Sequence, residues 1–403
     1  MTILSTTAGQ SNLPKYFSVA FDILKHLQNG RIDLHLPDGR IFRVEGPEPG
    51  PVAEVYVRNS ELFARLVRDG DIGFAEAYMD GWWETPDLQA LMDLIHLGND
   101  RVYDGYPGAG MVRAYERVLH WLRSNSRSQA KKNISYHYDL GNEFYSKWLD
   151  DTMTYSSALF QSGQESTEAA QRQKYAHLVD QMGAQPGDHV LEIGCGWGGF
   201  AEYAARERGL RVTGLTISRE QHAFAVDRMK RQGLADRVDI RLQDYRDERG
   251  TYDGIASIEM FEAVGEKYWP VYFDVLRERL KPGKNATLQI ITVQDSRWEM
   301  YRKGVDFIQK YIFPGGMLPS PTVLVQEVQK AGLSVAGSVE FGLSYDQTLR
   351  RWHQVFNDRW DEISALGFDE RFRKMWNFYL TSCASSFQGG ICDVTQITVT
   401  KPA

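Results

Sequence analysis

The chain has 403 residues, 42% of them hydrophobic and 25% charged, with 53 acidic side chains against 46 basic ones and a formal net charge of −7. This length and composition exclude a disordered chain and leave room for two domains with buried cores, while the net acidity excludes a global attraction to nucleic acid or to an anionic bilayer. No stretch reaches the roughly 20 consecutive apolar residues that a membrane-crossing helix needs. The cysteines, Cys195, Cys383 and Cys392, lack metal-ligand spacing, which predicts free thiols, no metal site and a reducing cytoplasm.

The start, MTILSTTAGQSNLPKYF, has neither the basic nor the apolar region of a secretory signal, and residues 1–13 are small and polar enough to predict a flexible end. Residues 14–99 read as a small α+β domain. IDLHLPDGRIFRVEG alternates apolar and polar residues about Pro37-Asp38-Gly39, the pattern of a hairpin with its turn at Asp-Gly. VAEVYVRN predicts a further strand, and SELFARLVRDGDIGFAEAYMDGWWE has helical spacing interrupted by Gly70, Gly73 and Gly81. Residues 100–133 read as a linker in which Arg117, Arg123, Arg127, Lys131 and Lys132 come with no intervening acid. That stretch is either a solvated linker helix or a membrane-surface contact.

Residues 134–403 predict an α/β catalytic domain. A helix is expected from Ser166 to Met182. Strand candidates HVLEIG, RVTGLTI, VDIRLQD, GIASIEM and ATLQIITV then alternate with helical stretches, and DVTQITVT closes the series. Alternation of this kind predicts a doubly wound, Rossmann-like parallel sheet with helices on both faces.

The central signal is VLEIGCGWGGF, residues 190–200, where an apolar strand runs into a glycine-rich turn and then a helix. Gly194, Gly196 and Gly198 let the backbone bend and approach a ligand without a Cβ clash, and the following helix offers free N–H groups. Such a turn also serves dinucleotides. The pattern acid-x-G-x-G-x-G, with Glu192 two residues ahead of the first glycine, resembles instead the S-adenosylmethionine loop of class I methyltransferases, where the acid orients the loop. The second strand ends GLTIS with no acidic ribose ligand, leaving Thr216 and Gln221 as its polar residues. Asp244 and Tyr245 of QDYRD end the third strand, where methyltransferases commonly contact adenine.

YHYDLGNEFYSKWLDDTMTYSSALF, LEIGCGWGGFAEYAA, GLTISREQ, QDYRD and SIEMFEAVGEKYWPVYF together resemble the cyclopropane fatty acid synthases and the related mycolic acid methyltransferases. LPDGR and EAYMDGWW resemble the N-terminal module of the full-length bacterial synthases. The resemblance implies a class I methyltransferase fold and methyl transfer from S-adenosylmethionine to the double bond of an unsaturated acyl chain in membrane phospholipid, closing to a cyclopropane. It implies a cytoplasmic enzyme peripheral to the inner face of the membrane, allows a homodimer and implies no nucleic-acid partner. It assigns Tyr155, Ser156, Glu192, Gly194, Cys195, Gly196, Thr216 and Gln221 to the cofactor, with Asp244 and Tyr245 beside them. His137 matches the family's HYD motif, and Glu262 takes the place of the active-site carboxylate. Glu259, three residues earlier, could share its face in either a functional or a structural role.

In that family a bicarbonate ion acts as base, held by a cysteine, a glutamate, a histidine, a tyrosine and an isoleucine backbone. Glu262, Tyr345 and Ile291 fit these places, but the cysteine place reads Ser157 and the histidine place Gln289. Serine and glutamine still donate hydrogen bonds while the imidazole charge is lost, which puts bicarbonate binding in question. Two products stay open: the cyclopropane, or a methyl- or methylene-branched chain. A methyltransferase for a soluble small molecule is the rival reading.

Overall fold

The computed structural model describes residues 3–97 and 140–403. The linker 100–133 with its basic stretch, and Tyr136, His137 and Tyr138, lie outside the described residues. Two compact units are present, and among the described residues the strands form one five-stranded and one seven-stranded sheet.

The first unit takes the described chain up to residue 97. The hairpin pairs β2 (Asn29–His35) antiparallel with β3 (Ile41–Glu45), and its turn closes where Gly39 takes φ 89° and Asp38 accepts from the Arg40 amide. β4 (Glu48–Val57) joins β2 in parallel, and β5 (Trp83–Glu84) joins β4. The helix Leu62–Met79 bends at Gly70, whose φ of 64° and ψ of −141° are non-helical. The expectation of a flexible N-terminus over 1–13 is corrected: β1 (Ile3–Leu4) pairs with the free edge of β3, and the Arg40 guanidinium donates to the Ser11 and Asn12 carbonyls.

This unit also takes Lys303–Ile312 and Ser364–Ile391, two segments expected within the catalytic domain 134–403. The physical reason lies in their buried faces. On the helix Glu370–Gln388, Ser385 Oγ donates to Asp93 and accepts from the Gln89 amide, both on the helix Leu88–His96. In the other segment Lys310 and Tyr311 both donate to Glu76, and Phe307 packs on Phe378 at 4.8 Å.

The second unit holds the seven-stranded sheet. Its strands are β6 (His189–Ile193), β7 (Arg211–Thr216), β8 (Val238–Leu242), β9 (Tyr252–Ile258), β10 (Leu280–Val293), β11 (Ser334–Glu340) and β12 (Cys392–Thr400), in the order β11-β12-β10-β9-β6-β7-β8. β6 to β10 run parallel, as the alternating pattern predicts, but β12 lies antiparallel between β10 and β11, so the sheet is mixed. The expected all-parallel sheet fails there because β12, although helices precede it, enters between β10 and β11 from the opposite direction and pairs antiparallel with both. The helix Thr167–Met182 begins where Ser166 accepts from the Ala169 amide and ends at Gly183, φ 71°. No helix among the described residues is long and apolar enough to cross a membrane.

Candidate active site

The chain leaves β6 toward β7 and β8, then returns to lay β9 on the other side of β6. Ligands of doubly wound sheets sit outside the carboxyl ends of the strands at such a reversal. The glycine turn leaves the end of β6, and Glu259 follows the end of β9.

The turn is built from backbone. Gly194, Gly196 and Gly198 take φ of 82°, 50° and 84°, and the Gly194 and Cys195 amides both donate to the Leu215 carbonyl, tying the turn to β7. A Cβ on Gly194 would sit 2.6 Å from Met260 Cγ, whereas one on Gly196 would meet nothing within 4 Å. One side of the loop is therefore closed and the other open. Cys195 is buried, and burial pushes its thiol well above the ordinary range, which disfavours the thiolate. Glu192 is buried behind the loop, and burial pushes its carboxyl up to about 8. Its Oε2 has no hydrogen-bond partner among the described residues.

Around this loop, Thr216 Oγ1 donates to Gln221 Oε1 at 2.9 Å, which fixes both side chains at the end of β7. The Asp244 carboxylate accepts from the backbone and guanidinium of Arg246, and the Tyr245 ring stands against Tyr272 at 5.6 Å. Ser156 Oγ accepts from Lys174 Nζ at 2.7 Å. Tyr155 sits among rings, 5.5 Å from both Trp148 and Trp352 and 6.3 Å from Phe313. Phe261 belongs to the core with Trp269 and Tyr272, and Phe307 and Tyr311 belong to the first unit.

Ser157, Gln289 and Tyr345 are brought together, and the group at their centre is Glu259. Its Oε1 accepts from the Ser157 backbone amide and from Gln289 Nε2, each at 2.8 Å, and its Oε2 accepts from Tyr345 Oη at 2.9 Å. The Ser157 hydroxyl turns away to the Ala158 carbonyl. Glu262 lies apart from these donors: its Oε1 accepts from the Ile291 amide at 2.6 Å, while Oε2 is shielded with no partner among the described residues.

Those surroundings separate the two carboxyls. Burial, then the charge of Glu259, push Glu262 up to about 8, so it is neutral at pH 7. Burial also raises Glu259, but Lys174, Gln289, the Ser157 amide and Tyr345 all favour its charged form. Lys174 is fully buried, and burial pulls its ammonium down to about 7 against the pull of Glu259, Asp150 and Glu192. Lys174 was not among the residues expected at the site, yet it carries a sequence signal: the buried face of its helix runs Ala170, Gln171, Lys174, Tyr175, Leu178, so a lysine interrupts a largely apolar stripe.

A sequence profile described as mycolic acid cyclopropane synthetase matches residues 125–397. The chain belongs to this family. It is 40% identical over 364 residues, 85% of this chain and 82% of the other, to the tuberculostearic acid methyltransferase UfaA1 of Mycobacterium tuberculosis. It is 35% identical over 351 residues, 87% and 88% of the two chains, to the cyclopropane-fatty-acyl-phospholipid synthase of Escherichia coli K12. The mycolic acid cyclopropane synthase CmaA1, solved with SAH and CTAB, superimposes with a TM-score of 0.63 at 28% identity, over 67% of this chain and 98% of that one. With this family goes the class I methyltransferase fold, which the sheet order of the second unit displays.

Proposed function

We propose that the protein transfers a methyl carbon from S-adenosylmethionine to the double bond of an unsaturated fatty acyl chain in membrane phospholipid, and that the product closes to a cyclopropane. The observation that carries this reading is the pairing, at one reversal of the sheet, of an open glycine loop with a carboxyl group that takes three hydrogen bonds beside an aromatic wall. The cofactor fits the loop: the open side at Gly196 admits a ligand against bare backbone, and the shielded Oε2 of Glu192, without a partner among the described residues, stands behind it.

S-adenosylmethionine supplies an electrophilic methyl group, and an alkene that takes it is left with a carbocation. The wall of Tyr155, Trp352 and Tyr345, with centroids 5.5 and 6.1 Å apart, presents electron-rich faces that stabilise such a cation and keep water from it. Thr216, Gln221, Asp244 and Tyr245 line the carboxyl ends of β7 and β8, where the adenosyl part would lie. Burial favours a proton on Glu262, while the three donors on Glu259 and the charge of Lys174 oppose burial there and favour its carboxylate, an arrangement suited to one negative charge, and not two, near the cation.

The test is incubation with S-adenosylmethionine and vesicles of unsaturated phospholipid, then mass spectrometry of the released acyl chains. A gain of one CH2 per double bond is expected, and no gain on any chain refutes the reading. Activity on small molecules without vesicles would favour the soluble-substrate rival. A branched product is the second reading, favoured by the 40% identity to a protein named for tuberculostearic acid and by Ser157 and Gln289. Mild ozonolysis separates the cyclopropane, which it spares, from a methylene branch, which it cleaves, and a saturated methyl branch is told from both by a mass gain of CH4 in place of CH2.

A further inference from the structure

We propose that Glu259 is the built-in base of the reaction, its side-chain carboxylate taking the proton from the transferred carbon so that no bicarbonate ion is needed. The inference rests on the methyl-transfer reading above and names its proton acceptor.

Backbone geometry is the first support. Glu259 takes φ 48° directly after β9, a left-handed conformation uncommon for a side chain other than glycine, asparagine or aspartate, and one that gathers at functional sites. Its amide is held by the Gln289 carbonyl at 2.8 Å. A glycine would adopt this turn without strain, so the side chain is carried here at a cost of about 1 kcal/mol.

The donors are the second support. A carboxylate and a bicarbonate ion present the same fork of two oxygens, and the fork at this place is already filled by the chain itself: Ser157 N and Gln289 Nε2 on one oxygen, Tyr345 Oη on the other. An added anion would meet donors already engaged and a like charge beside it.

The third support is a directed chain of hydrogen bonds behind the carboxylate. Sheet register sets Gln289 of β10 opposite Gln396 of β12 and Ile258 of β9, so two amides and the residue after β9 fall in one row. Gln289 Nε2 donates to Glu259, and Gln396 Nε2 donates to Gln289 Oε1 at 3.0 Å. His177 Nδ1 meets Gln396 Oε1 at 2.6 Å. An amide oxygen only accepts, so Nδ1 carries the hydrogen. Through this series the donations run toward Glu259, with each amide nitrogen giving a second hydrogen bond to a carbonyl, Gln289 to Ser157 and Gln396 to Lys174, and the chain ends on a half-buried imidazole. Aligned donors of this kind reinforce one another and hold the acceptor at their end ionised and oriented. His177, Gln396 and Gln289 are positioning residues.

The step balances. The π pair of the alkene forms the new carbon–carbon bond as the carbon–sulfur pair stays on sulfur, leaving a neutral thioether and a cation on the second alkene carbon. Glu259 takes a proton from the new methyl group, and the C–H pair closes the third side of the ring. If hydride shifts first, the same proton is removed and the pair forms a C=CH2 bond instead. Glu259 ends neutral and ionises again once the site opens to water.

The experiment uses the full chain, S-adenosylmethionine and dioleoyl phosphatidylglycerol vesicles, in buffer stripped of carbon dioxide and in the same buffer with added bicarbonate. Turnover in the bicarbonate buffer tests the methyl-transfer reading. Equal turnover in the stripped buffer supports the inference, and a loss restored by bicarbonate overturns it while leaving the reading intact. Glu259→Gln is expected to lower kcat by about 100-fold or more with cofactor affinity by calorimetry within about twofold. Retained kcat overturns the proposal. Glu259→Gly frees the fork, and rescue of its turnover by bicarbonate or formate, with line broadening of 13C-bicarbonate that the wild type does not show, is the expected result. His177→Phe should shift the acid limb of the kcat profile to higher pH while KM holds, and His177→Asn should restore part of it; an unmoved limb removes the chain from the argument.

Discussion

The glycine loop and the carboxylate node flank the same reversal of the sheet, but they are made in opposite ways. The loop is one contiguous turn, Gly194 to Gly198, whose work is done by backbone and by absent side chains. The node is assembled from Ser157, Glu259, Gln289 and Tyr345, which are distant in sequence and meet only through side chains or a single amide. A local device can be damaged by adding one methyl group. A convergent device is damaged by removing one donor, and it degrades in steps.

The comparison can be broken first at the loop, where the effect should be largest. Gly194→Ala forces a Cβ to 2.6 Å from Met260 Cγ at φ 82°, which should cost at least about 2 kcal/mol of stability and weaken cofactor binding more than about tenfold, read by thermal denaturation and calorimetry. Gly196→Ala has open space around it, so its stability cost should be nearer about 1 kcal/mol while its affinity loss stays as large. Equal stability loss in both would show that strain alone, and not the closed and open sides, governs the loop.

At the node, Tyr345→Phe removes one of the donors to Glu259. A fall in kcat of about 10-fold is expected, the worth of one hydrogen bond to a charged group, with cofactor affinity unchanged. A fall as deep as that of Glu259→Gln would mean the node fails all at once and is not convergent in the sense used here.

The smallest effect expected is one of pH. Glu262 is pushed up to about 8 in the fold against 4.5 for an ordinary glutamate. The folded state therefore holds a proton that the unfolded chain gives up, and stability is full below pH 4.5 and lost as pH rises through about 8. Glu262→Gln should remove that decline, raising Tm at pH 8 relative to wild type and leaving the two equal at pH 4. Its kcat should also fall, because one carboxyl oxygen becomes an NH2 that can only donate and so alters the field beside Glu259, while the remaining carbonyl oxygen still accepts from the Ile291 amide.

The strands β6 to β10 and the helix Thr167–Met182 were legible because period, capping serine and closing glycine are local signals. β11 was not: SVAGSVE is exposed on both faces save at Gly337, so burial imposes no alternation on it. Nor was the placement of the helix Glu370–Gln388 with the first unit, since an apolar helical face does not name its partner.

The same division runs through the site. By itself the sequence determined the glycine loop and its acid, because the geometry of that turn is dictated by residues adjacent in the chain. It also determined the list from which the node is drawn, Ser157, Glu259, Glu262, Gln289 and Tyr345. That Glu259 and not Glu262 stands at their centre was decided by tertiary structure alone. The two acids are three residues apart, and a left-handed turn at one of them, held by the register of β9 against β10, sends their carboxylates to different donors.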